Sequence, residues 1–143
     1  MKKILLPFFF CAFAASAFSQ VELKANPVAL LFGVLQGSFE YDLKPNWGLE
    51  ADLAAGGDLA FAYLSGKHYF NPKDICDGFN VGAFLGLYGD GSGSGEGAVG
   101  FFFGYKVVSQ KNLVFETALG VGRGGGGEID VVPYFKLHLG YRF

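Results

Sequence analysis

A chain of 143 residues with a formal net charge of −2 has room for one domain and offers no basic surface to nucleic acid. Its 23 glycines and 17 phenylalanines, with charged residues at 17%, make a poor helical protein and too aromatic a chain to be disordered. Two cysteines and two histidines are too few for a disulfide-stapled scaffold or a zinc cluster.

Residues 1–19 read as a cleaved signal peptide. Met1-Lys2-Lys3 is a positive start, and the apolar run from Ile4 to Ala15 is too short to span about 30 Å of hydrocarbon. Ala17 and Ser19 are the small residues that precede a cut, which puts Gln20 first in the mature chain; a cut after Ala17 is the alternative. Phe8-Phe9-Phe10 stands where a lipoprotein signal at Cys11 needs small residues. The mature domain is then 20–143, with Cys76 as its one thiol.

From Val21 onward, apolar and polar or small residues alternate, which places each set on one face of a strand. In the segment 21–31, Val21, Leu23, Ala25, Pro27, Ala29 and Leu31 alternate with Glu22, Lys24 and Asn26. In 35–43, Phe39, Tyr41 and Leu43 alternate with Glu40 and Asp42. In 47–56, Trp47, Leu49, Ala51 and Leu53 alternate with Glu50 and Asp52. Segment 58–70 is strand-like but apolar on both faces from Phe61 to Leu64, so its facing stays open. Segments 78–89 and 97–108 set Val81, Leu85, Phe101 and Phe103 against Gly82, Gly86, Gly100, Gly104 and Lys106. Segment 112–123 sets Phe115, Leu119 and Val121 against Glu116, Gly120 and Gly122. Segment 129–143 sets Phe135, Leu137, Leu139, Tyr141 and Phe143 against Lys136, His138, Gly140 and Arg142.

Eight such segments, most near the roughly 9–11 residues of a tilted membrane-crossing strand, predict an all-β, transmembrane, antiparallel up-and-down barrel. Lys44-Pro45-Asn46 and Ser109-Gln110-Lys111 suit short periplasmic turns. The glycine-rich stretches 89–95 and 123–128 fall on the outer side, and 71–77 is long for a periplasmic turn. A soluble sandwich would put charge and polarity on its second face; here that face carries glycines among Phe84, Phe102 and Tyr134, as the tight interior of a small barrel requires. Glu22, Glu40, Asp42, Glu50, Asp52 and Glu116 are its acids, and Lys24, Lys106, Lys136, His138 and Arg142 its bases. Opposite charges in one lumen pair, giving a plug rather than a wide pore. Pro27 and Pro133, in the first and last strands, predict a bulge or a loose seam where the barrel closes.

The ending Phe135-x-Leu137-x-Leu139-x-Tyr141-x-Phe143 resembles the C-terminal signature of bacterial outer-membrane barrels. Lys24-Ala25-Asn26-Pro27, Phe39-Glu40-Tyr41 and Tyr69-Phe70-Asn71-Pro72 extend the likeness to the small outer-membrane barrel family common in Bacteroidota. The resemblance implies residence in the outer membrane, contact with its lipid, and handling by periplasmic chaperones and an assembly machinery that reads the last strand. It implies no activity.

No catalytic group emerges. His68 and His138 are placed toward the periplasmic ends of their strands, with no serine beside either, so the chain is expected not to be an enzyme. Asp90–Glu96 lacks the helix that follows a phosphate loop and the twelfth-position Glu of a calcium loop. No cofactor or metal is expected, and a monomer is. A structural or surface-interaction barrel with a filled lumen is the first functional reading. The alternative is a narrow channel or carrier for a small or apolar solute, which an open lumen would favour.

Overall fold

The computed structural model describes residues 21–57, 59–89, 95–125 and 131–143; the segment read as a signal peptide lies outside them. Eight strands follow one another round a closed wall, each antiparallel to its neighbours: β1 (Val21–Ala25), β2 (Leu35–Lys44), β3 (Trp47–Gly56), β4 (Leu59–Tyr69), β5 (Gly78–Gly89), β6 (Gly95–Val108), β7 (Leu113–Gly124) and β8 (Val131–Arg142). One short helix, α1 (Pro27–Leu31), lies between β1 and β2. The described chain is thus an all-β up-and-down barrel, with Val21 and Phe143 at one end.

Pairing fixes the barrel's shape. The ladder runs from Glu22 through Glu40, Glu50, Ser65, Phe84, Gly100 and Gly122 to Val132. Glu22 itself pairs with Arg142, ten positions beyond Val132 on the same strand. A stagger of this kind tilts strands by about 35–45° to the axis. Because it is an even number, inward residues meet inward residues across the closing seam.

The lumen has two zones. Toward the terminal end it is filled by charged side chains. Above them, Phe84 and Phe102 stack on Tyr134 at 4.8 and 4.9 Å, and Tyr63 meets Phe84 edge-on at 5.2 Å. Glycine makes this possible: a Cβ on Gly122 would lie 2.7 Å from the Phe84 ring, and one on Gly82 2.3 Å from the Phe102 ring. The open facing of 58–70 resolves on β4 with Tyr63, Ser65, Lys67 and Tyr69 inward and Leu64 outward.

The strand expected over 21–31 ends at Ala25. Asn26 caps α1, its Oδ1 accepting from the N–H groups of Val28 and Ala29 at 3.0 and 3.1 Å. Pro27 takes the first helical position, where its missing N–H costs nothing. Val28 and Leu30 are as apolar as Ala29 and Leu31, so the alternation there carried no facing information.

Of the bulge or loose seam expected at Pro133, the bulge is not there, since the β7–β8 register runs unbroken past Val121↔Pro133, but the seam is loose: β1 pairs with β8 only from Ala25↔Leu139 to Glu22↔Arg142. The backbone phase explains why. Phe143 donates to Val21 on β1 and Arg142 donates to Asn112 beside β7, both at 2.9 Å. Bonding direction alternates along an antiparallel strand. Odd positions of β8 therefore point toward β1, which has already ended at the level of Pro133. Pro133→Val should leave thermal stability unchanged. Val132→Pro, which removes a bond to β7, should cost about 1–3 kcal/mol. Equal losses, read as unfolding midpoints, would show that the odd positions are not free there.

Candidate functional site: the charged lumen

Every inward charge anticipated from the sequence reaches the lumen and is buried there: Glu22, Lys24, Glu40, Asp42, Glu50, Asp52, Lys106, Glu116, Lys136, His138 and Arg142. The stagger explains the convergence, since it brings residues distant along the wall to one height. Lys24 contacts Glu40, Glu50 and Glu116 together. Lys106 bonds both oxygens of Glu22 at 3.1 Å and Glu40 at 2.9 Å, with its ammonium 4.6 Å above the Tyr69 ring. Tyr69 donates to Glu40 at 2.6 Å. Lys136 meets Glu50 and lies 3.8 Å from Asp52. Arg142 closes the terminal end, bonding Glu22 at 2.6 and 2.9 Å and lying 3.6 Å from Asp42.

Lys67 belongs to this network and was not among the anticipated residues. It bonds Glu40 at 2.9 Å and Glu50 at 2.8 Å, and reaches Glu116 as well. The apolar run of Phe61–Leu64 hid the phase of β4. The signal was present in Ser65-x-Lys67, two polar residues of one parity.

The histidines part company. His68 faces outward between Trp47 and Phe70, with ring centroids 4.7 and 4.9 Å away. His138 faces inward, and there the expectation of no serine beside it is corrected: Ser38 Oγ lies 3.1 Å from Nδ1, with Asp52 3.7 Å from Nε2. A separation of 100 residues kept that contact out of reach of any spacing rule. The Asp52 separation exceeds a hydrogen bond and Ser38 is buried. Glu50, Glu116 and His138 also bring ligand-type atoms within 4.8 Å of one another. Both glutamates are committed to lysine ammonium groups, so a cation entering there would have to displace them.

At the terminal end, the long 70–77 connection folds across the mouth. Cys76 is fully buried, its N–H donating to Pro45 at 2.7 Å and its thiol to the Lys44 carbonyl at 3.2 Å. The Arg142 guanidinium reaches the Cys76 carbonyl at 3.4 Å. This ties the loop to the network and accounts for its length. No family model, curated protein or solved structure matches the chain, so its functional reading rests on this geometry and on the sequence.

Two outcomes follow. Burial, with the Asp42 carboxylate adding to it, pushes the Cys76 thiol well above the usual thiol range. Iodoacetamide at pH 8 should therefore leave Cys76 unmodified in the folded barrel and alkylate it on unfolding; equal rates would mean that the loop does not seal the mouth. Lys67→Met leaves carboxylates short of a cation and should cost about 3–5 kcal/mol in denaturant titrations, as uncompensated buried charge does. Lys111→Ala, in an exposed turn, serves as the neutral control.

Proposed function

We propose that this chain is an integral barrel of a bacterial outer membrane with a structural or surface-interaction role, its lumen plugged rather than conducting. One observation carries the reading: the polarity of the wall is inverted relative to a water-soluble protein. Outside, Phe101, Leu53, Leu85 and Phe135 are 72%, 64%, 63% and 56% exposed. Inside, Glu40, Glu50, Lys67 and Lys136 are wholly buried. Contiguous apolar surface on that scale is unfavourable in water and stable against hydrocarbon. Closure supports the reading further, since a lipid-exposed wall must bond its backbone groups internally.

Other features agree. Trp47, Tyr105, Tyr141 and Phe143 lie outward near the terminal end, at the level where an aromatic girdle meets an interface. Phe143 packs edge-on against Tyr141 at 5.1 Å, and Phe135, Leu139 and Tyr141 form one outward row. That row is the surface an assembly machinery would read, in line with the resemblance to the small barrels of Bacteroidota. The apolar leader from Met1 to Ser19 supplies the export step. A filled lumen favours the structural role over conduction: ion pairs occupy one half and stacked rings the other. No catalytic step is part of this reading.

The test is extraction and flotation. The mature protein should need detergent for release from envelopes, float with lipid vesicles, and migrate differently before and after boiling. Phe103→Arg, on the outward face, should reduce assembled protein by the equivalent of about 2–4 kcal/mol if the position sits at the bilayer midplane. Recovery as a water-soluble monomer would overturn the reading.

A further inference from the structure

The wall is not equally high all round. β1 stops at Ala25 and β2 begins at Leu35, whereas β8 extends to Val131. β1 and β8 pair only from Ala25↔Leu139 to Glu22↔Arg142. Above that level β8 has no strand on its β1 side, and α1 sits in the notch, touching both β2 and β8.

The notch has chemistry of two kinds. Its banks are apolar and exposed: Leu30 at 53%, Leu31 at 83% and Phe32 at 79% on one side, and Val131 at 66% and Phe135 at 56% on the other. Its floor is polar. The odd positions of β8 direct their backbone toward β1, so the N–H groups of Phe135 and Leu137 face the gap, as does the Pro133 carbonyl. Among the described residues, no backbone hydrogen bond joins α1 to β8. The helix is held from its own side instead, by the Asn26 cap and by the Asn26–Gln36 side-chain bond of 2.7 Å. Gly33, at φ +74°, provides a joint at its far end.

We propose that this notch is a lateral port for a single-chain amphiphile, a fatty acid or its ester, entering from the surrounding lipid, with α1 as the movable side. The inference rests on the membrane reading above. An acyl chain covers the apolar banks, and its carboxyl or ester oxygen accepts from the Phe135 and Leu137 N–H groups. Those donors need a partner wherever water is excluded. An extended peptide fits less well, because Pro133 withholds a donor from the middle of the edge it would have to pair with.

Photolabelling tests this. The mature protein is reconstituted in vesicles of phosphatidylethanolamine and phosphatidylglycerol with palmitic acid carrying a diazirine on its chain, then irradiated and mapped by peptide mass spectrometry. Adducts should be several-fold denser on Leu30–Leu35 and Val131–Leu137 than on the equally exposed Leu85 and Phe101 band. Uniform labelling of protein that floats with the vesicles overturns the port and leaves the membrane reading intact; protein that fails to float overturns both. A second arm uses Phe135→Cys in a Cys76→Ser background. Disulfide-linked dimers would give the open edge to another strand and overturn the amphiphile, whereas a monomeric product supports it.

Discussion

The even stagger that closes the wall governs everything inside it. Had the ladder returned to β8 one position away, the inward set of one strand would have met the outward set of the next, and glutamates would face the surroundings. With the closure at Arg142, Glu22 and Glu40 on adjacent strands share Lys106, and Lys24 reaches Glu50 and Glu116 across the lumen. The ion pairs are thus a product of the pairing register. They also reinforce it, since a slipped β8 would carry Lys136 and Arg142 away from their carboxylates. A buried ion pair is weak evidence of stability by itself; its better attested role is to specify one arrangement against others. In this barrel the arrangement specified is the register.

The second constraint is volume. A barrel this narrow holds few large side chains, so three rings of the upper zone, Tyr63, Phe84 and Phe102, take space that glycines leave free. Gly100 and Gly122 leave the space that Phe84 occupies, and Gly86 leaves that of Tyr63. Among the described residues, stacked rings and ion pairs crowd the lumen from one end to the other. The wall itself is lowest where β1 and β2 fall short of β8.

Much of this was legible in the sequence because a period of two is a direct readout of a two-faced wall. The seven strands after the first, the inward acids, and most of the bases follow from it. It failed where both parities were apolar. On β4 that concealed Lys67, and in 26–31 it let a capped helical turn pass for strand. In the second case a local signal was available and outranked the alternation: Asn followed by Pro is a helix start. What no local rule reaches is contact across the lumen. Ser38 beside His138, and Cys76 beneath Arg142, depend on tilt and closure, which are properties of the whole ladder.

The two prolines that seemed to threaten the seam turn out to describe it. Each lacks a backbone donor, and each sits where a donor would find no acceptor: Pro27 at the first position of α1, Pro133 on the β8 edge beyond the end of β1. A wall meant to be sealed at that level would favour residues that donate at both places. Here the chain instead turns out of the sheet after Ala25, covers the gap with a five-residue helix, and blunts the exposed strand with an imino acid. Proline on an open edge discourages pairing with another strand. The same residue therefore keeps the gap from being closed by a passing β-strand, and leaves it to be covered by side chains.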